Sequence, residues 1–180
     1  DAESALMELA LTDVGVLERR LARIEESSKG LRAPDREVLT RETALVLRVK
    51  AGLEEGTAVR DQTLTGDEAR ALGGFGLLTA KPTIVVVNVG EDHPDDAAAL
   101  AERVAAAAQV RADAICGKLE MELSQMDPAE EAEMREGLDA GEPALDRMAR
   151  VAHEVGDVIA FFTGNANEAR SWTVPRGTTA

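Results

Sequence analysis

Thr83-Ile84-Val85-Val86-Val87-Asn88-Val89-Gly90-Glu91 is the stretch on which the fold turns. Its first five residues favour β structure and do not alternate apolar with polar. That is the pattern of a strand buried on both faces of a mostly parallel sheet. The polar tetrapeptide Asn88 to Glu91 follows directly. Open α/β sheets bind ligands beyond the carboxyl ends of their strands, so these four residues are candidates for a site. An Ala-rich helix is predicted over 95–109, and Ala112 to Ile115 reads as a second short strand running into Cys116-Gly117-Lys118.

Further along, helices are predicted over 118–126, from Asp127-Pro128 to Gly137, and from Glu142 to Val155. Pro128 sits in the first turn, where its missing N–H does no harm. Leu145, Met148 and Val151 share one face of the last helix, and residues 158–163 close the set as a strand. This order fits the second half of a doubly wound α/β sheet.

Upstream, Met7, Ala10, Val14, Leu17, Leu21 and Ile24 recur at alternating steps of three and four, so residues 3–26 read as one amphipathic helix with a heptad seam. Ser27 to Ala33 form a turn, and Asp35 caps a second helix that stops at Gly56. Its seam, Leu39, Val46, Val49 and Leu53, is interrupted by Glu42. Two helices joined by a short polar turn predict an antiparallel hairpin. It either packs on its own domain or serves as a partner-binding arm. Residues 57–80 connect it to the sheet through a short helix, Thr65 to Leu72, ended by Gly73-Gly74.

Composition excludes several functions. The formal charge of −14 argues against wholesale binding of nucleic acid or an anionic membrane. Residues 1–60 hold ten Lys/Arg against twelve Asp/Glu, whereas 61–180 hold ten against twenty-two. The first third is therefore where a polyanion would meet least repulsion. Aromatic residues are only 2%, so Leu, Val and Ala must fill the core. A single cysteine rules out an internal disulfide, and no apolar run is long enough to span a bilayer. The plain expectation is a soluble cytoplasmic monomer.

Asn-x-x-Glu after one strand and Cys-Gly-Lys after the next resemble the two base-reading motifs of GTPase-type G domains. Glu91 stands where a GTPase carries Asp, which points to the Obg-like ATPases of the YchF subfamily. The C-terminal run Arg170-Ser171-Trp172-Thr173, followed by Gly177-Thr178-Thr179-Ala180, resembles that family's passage into its TGS β-grasp domain. It contains the sequence's single Trp. The resemblance implies a helix leading into the arm over 1–13, a coiled-coil hairpin over 14–56, the C-terminal half of the nucleotide-binding domain over 57–166 and a truncated TGS start over 167–180.

It also implies roles for residues. Asn88 would hold the base edge and brace the neighbouring loop. Val89 would lie apolar against the base, Lys118 would cover the opposite face with its stem, and the Cys116 and Gly117 backbone would donate N–H groups. The family usually has Ala at the position of Gly117, a departure from which little effect is expected. Glu91, one methylene longer than Asp, would fail to meet guanine's paired N–H donors. An unpaired buried polar group costs about 1–3 kcal/mol, so ATP is expected to be preferred over GTP. Arg19, Arg20, Arg23, Lys29, Arg32, Arg36, Arg41 and Lys50 could meet rRNA phosphates on a ribosome.

No G-x-x-x-x-G-K-S/T phosphate loop occurs in the 180 residues, and Gly73-Gly74-Phe75-Gly76 lacks the following Lys. The phosphate loop and the Mg²⁺ ligands are expected outside this chain, which by itself should hydrolyse neither ATP nor GTP. No catalytic or metal-binding set is assigned within it. Cys116 reads as a small buried residue, Trp172 as a plug for a core gap, and His93 as part of a hydrophilic loop. The ten acidic residues of 120–146, with Arg135 as sole cation, read as a solvated helical face. The alternative to a nucleotide-binding piece is a coiled-coil scaffold module whose sheet is only structural.

Overall fold

The computed structural model describes residues 2–27, 33–90 and 96–179, which divide into two compact units, 1–82 and 83–180. In the first unit, α1 (Ala2–Ser27) and α2 (Ala33–Glu54) pack antiparallel, with Arg20 paired to Glu42 and Glu18 to Lys50. Leu17 from α1 meets Leu45, Val46, Val49 and Leu53 from α2. The predicted seam thus holds at its centre, while Met7 at its start is exposed. Gly56, at φ +85°, ends the α2 region in the left-handed conformation that favours glycine. Gly52 permits a close approach: a Cβ there would lie 2.5 Å from Nε2 of Gln62, which donates to the Val49 carbonyl at 3.1 Å.

Residues 57–80, expected to connect the hairpin to the sheet, pack within this helical unit. Val59, Leu72 and Leu77 complete the same apolar core. The short helix α3 (Gly66–Leu72) starts as predicted. Thr65 Oγ1 accepts the Glu68 N–H at 3.3 Å, and a Glu68 carboxylate oxygen accepts the Thr65 N–H at 2.8 Å. The α-helix ends at Leu72 with Gly73 as its C-cap, as expected, and Gly73–Phe75 then form a 3₁₀ turn that closes at Gly76, φ +67°. Glu42, the interruption in the second seam, is explained by Arg20, whose guanidinium holds it at 2.6 and 2.8 Å and lies 5.8 Å from the Phe75 ring.

The fastener of this unit is Asp13, 1% exposed. Its carboxylate accepts the Leu78 N–H at 2.8 Å, the Thr79 N–H at 2.7 Å and the Thr79 hydroxyl at 2.6 Å. One buried side chain thereby ties α1 to a loop 65 residues away.

In the second unit, β1 (Ile84–Asn88) and β2 (Arg111–Ile115) pair in parallel, from Ile84 opposite Arg111 to Asn88 opposite Ile115. The crossover is α4 (Ala97–Ala108), closed by Gln109 at φ 51°. The strand expected to be buried on both faces is not: Val86 is 43% exposed. Among the described residues β1 pairs with β2 alone.

Three helices follow: α5 (Gly117–Leu123), α6 (Pro128–Gly137) and α7 (Ala144–Val155). Asp127 caps α6 by accepting the Ala129 N–H at 2.9 Å. The buried face of α7 runs through Ala144 and Val151, and Leu145, assigned to that face from the sequence, is 80% exposed. The acidic 120–146 stretch is also not wholly solvated. Arg135, buried, donates to Glu120 at 2.8 Å and to Glu131 at 2.8 Å, while Glu120 also accepts the Ala144 N–H at 3.0 Å. The Arg135 hydrogen bond, with that N–H, holds the Glu120 carboxyl below the usual glutamate range.

The largest departure concerns residues 158–163. They do not join the parallel sheet. They form β3 (Val158–Gly164), paired antiparallel with β4 (Ala169–Pro175) in a sheet of their own. Asn165 Oδ1 accepts the Asn167 N–H at 2.9 Å and the Glu168 N–H at 3.1 Å, shaping the connection. Closing so short a loop costs little entropy compared with returning to a distant strand. The boundary expected between 166 and 167 falls inside this connection, so both strands belong to one hairpin. Trp172 is not a core plug: it lies half exposed opposite Phe161, with its indole N–H 2.8 Å from Thr163 Oγ1.

Asp13→Ala should destabilise the chain by about 2–4 kcal/mol, since it leaves buried donors without an acceptor. Urea unfolding checks this. Thr79→Val, which leaves the Leu78 and Thr79 N–H groups paired to Asp13 and frees only the long 3.4 Å bond from the Val59 N–H, should cost less than Asp13→Ala.

Candidate functional site: the carboxyl edge of the parallel pair

Asn88 ends β1 and Ile115 ends β2 in register, so the residues after each strand emerge at the same edge. The ladder runs one step further, where the Val89 N–H donates to the Ile115 carbonyl at 2.8 Å. Next, Asn88 Oδ1 accepts the Gly117 N–H at 3.0 Å. The two motifs, 29 residues apart in sequence, are therefore joined by a backbone bond and a side-chain bond at one place. Because Oδ1 is taken by a donor, the amide is oriented, and its NH₂ is left to donate outward.

Gly117 matters more than its sequence context implied. A Cβ there would lie 3.1 Å from Asn88 Oδ1, closer than an ordinary van der Waals contact. Cys116 precedes α5 with φ −96° and ψ 90°, is partly buried, and accepts the Glu120 N–H on its carbonyl at 3.0 Å. Lys118 is exposed, with Nζ 3.9 Å from the Glu122 carboxylate one turn on. Val89 is partly buried and Gly90 exposed. Glu91, together with His93 and its loop, lies outside the described residues.

One set of residues that sequence reasoning missed supports this edge. Arg147 on α7 donates to Asp113 at 3.1 Å and to the Ala114 carbonyl at 2.8 Å, and Asp113 also accepts the Ala114 N–H at 2.7 Å. The β2 segment leading to Cys116 is thus clamped from the side. The available signal was an aspartate inside a short apolar strand, which needs a partner. Asp13 carried the same signal, lying on the inward stripe beside Ala10, Val14 and Leu17.

The cations read as polyanion contacts are not equivalent. Arg20 is held by Glu42, whose hydrogen bond raises its pKa, and its side chain is 37% exposed. Arg41 pairs with Glu37 at 2.5 Å, and Lys50 with Glu54 at 2.7 Å and Glu18 at 3.3 Å. Arg19 and Arg23 are exposed and make no ion pair among the described residues. Arg36 is exposed near the start of α2, and Lys29 and Arg32 lie outside the described residues.

No family model matches the chain. The ribosome-binding ATPase YchF of Pasteurella multocida is 30% identical over 186 residues, covering all of this chain and 49% of that protein. The ribosome-binding ATPase YchF of Escherichia coli O157:H7 is 30% identical over 182 residues, again over the whole chain. This chain belongs to the YchF family of Obg-like ATPases. The Obg-like ATPase 1 of Saccharomyces cerevisiae is 27% identical across the whole chain, which covers 47% of that protein. The fold agrees as well. The structure of the Schizosaccharomyces pombe YchF GTPase superposes on the whole chain with a TM-score of 0.81 at 22% identity, and the chain covers half of it. The present YchF-family chain thus spans about half the length of the curated relatives it matches.

Asn88→Ala should expose the Gly117 amide. Hydrogen exchange there should quicken roughly five- to tenfold, as expected for loss of one bond worth about 1 kcal/mol. Gly117→Ala should give a smaller change of the same sign, because the Asn88 amide can yield by a few tenths of an ångström.

Proposed function

We propose that this edge reads the base of a nucleotide, as part of a longer cytoplasmic ATPase that works on the ribosome. The observation that carries the reading is the Asn88–Gly117 hydrogen bond, which unites Asn-x-x-Glu and Cys-Gly-Lys at the ends of paired parallel strands. It leaves the Asn88 NH₂ for an acceptor on the base edge, and the missing Cβ of Gly117 keeps the approach open. Val89 and the Lys118 stem would flank the ring, Cys116 and Gly117 would contribute backbone at the base, and Glu91 would face its Watson–Crick edge. ATP is then favoured over GTP, because Glu91 does not satisfy guanine's paired donors. Mg²⁺ and the phosphates would be held by residues of the longer protein, and hydrolysis is its activity.

The α1–α2 hairpin, over 14–56, would act as a coiled-coil arm, and residues 167–180, which carry β4, would open a TGS domain. The names of the relatives, ribosome-binding ATPases, support a ribosomal partner. Of the arm's cations, Arg19 and Arg23, with Lys29, Arg32 and Arg36, would meet phosphates ahead of Arg20, which is paired to Glu42.

Calorimetric titration of the full-length protein tests base choice. Wild type should bind ATP more tightly than GTP, and Asn88→Ala should abolish both. Glu91→Asp with Val89→Lys should move preference toward GTP by about 1–3 kcal/mol. Tighter binding of GTP than ATP by the wild type would sink the reading of Glu91.

Arg19→Glu with Arg23→Glu should weaken ribosome co-sedimentation and flatten its salt dependence, with nucleotide affinity unchanged. Arg20→Glu should instead lower stability, since it places two carboxylates together. Unchanged co-sedimentation of the double variant would remove the arm from the interface.

A further inference from the structure

The face of α6 not used by Arg135 carries a second pattern. Glu131 and Arg135 form the inward ion pair, while Glu130, Glu133, Met134 and Gly137 recur at i, i+3, i+4 and i+7. With Met126 and Leu138 from the flanking turns, this stripe lines an open groove of about 660 Å³. Met134 and Leu138 are 44% and 53% exposed, so large apolar side chains face water there. At Gly137 a Cβ would meet nothing within 4 Å, which leaves one end of the groove unfilled.

Charge selects the occupant. Ten carboxylates lie in 120–146 and the sole cation, Arg135, is consumed by Glu120 and Glu131. Glu142 is paired with Arg150 and Glu122 lies near Lys118, but Glu130 and Glu133 on the groove wall make no ion pair among the described residues, so the groove keeps a net negative field, which repels nucleic acid and anionic lipid. A second copy docked face to face would set Glu130 and Glu133 against themselves. A polypeptide whose apolar ridge is bordered by Lys and Arg meets both demands, ridge on methionines and cations on carboxylates. Methionine adapts its shape to such ridges, and a stripe spanning i to i+7 matches the anchors of an amphipathic helix. We propose that the Met126–Leu138 groove docks a basic amphipathic helix of a protein partner.

The probe is a labelled synthetic helix of Leu and Lys with anchors at i, i+3, i+4 and i+7, compared by fluorescence anisotropy with a Leu/Glu helix of identical apolar spacing. The full-length protein should bind the basic helix at least about tenfold more tightly, and the difference should shrink with added salt. Met134→Asp should weaken binding about tenfold. So should Gly137→Arg, which fills open space with a better helix former and a repelling charge, and so keeps the fold. Circular dichroism verifies that both variants stay folded. Equal binding of the two helices, absence of binding, or indifference to both substitutions would overturn the proposal. Self-association of the chain that Met134→Asp abolishes would overturn it too, by making a second copy the occupant.

Discussion

Parallel pairing of β1 with β2 is the constraint on which the site depends. Parallel strands cannot be joined by a tight turn, so the chain must cross back over the sheet, here through α4, before the second strand can lie beside the first. The crossover returns both strands pointing the same way, and their carboxyl ends therefore finish together. Asn88 opposite Ile115, the added rung from Val89 to Ile115 and the bond from Gly117 to Asn88 all follow from that register. A slip by one residue would turn every side chain to the other face and send Asn88 away from Gly117.

With few aromatic residues available, polar fasteners supplement the apolar core. Each unit uses buried carboxylates or guanidinium groups to hold elements distant in sequence. Asp13 binds the 78–79 loop to α1, Arg135 gathers Glu120 and Glu131, and Arg147 grips Asp113 and the Ala114 carbonyl. Each such group is costly to bury alone, and removing one partner leaves the other unsatisfied. These contacts specify which elements meet, while Leu, Val and Ala burial supplies the bulk of the favourable free energy. The carboxyl edge of the parallel pair inherits its order from them, since the Arg147 clamp holds the strand that leads into Cys116-Gly117-Lys118.

Local elements were legible because their causes are local. The helix over 66–72 announces itself through Thr65 and Glu68, α6 through Asp127-Pro128, and the first helix through its three–four spacing. Long-range partnerships were not. A run such as Val158 to Thr163 has the same β-favouring composition whether it extends a parallel sheet or folds back on Ala169–Pro175, and nothing within it distinguishes the two. The same holds for residues 57–80, whose apolar positions fit either unit, and for Leu145, one of several apolar residues on α7.

Residue chemistry by itself determined the two strand-to-loop motifs, the helical hairpin pattern and the uneven charge, because each is written in spacing within a few turns or one strand. Tertiary structure alone decided that Gly117 lies tight against Asn88, that Arg20 answers Glu42, and that β3 takes β4 as its partner. Those outcomes depend on distances between segments tens of residues apart, and such distances are set by the joint packing of all the elements.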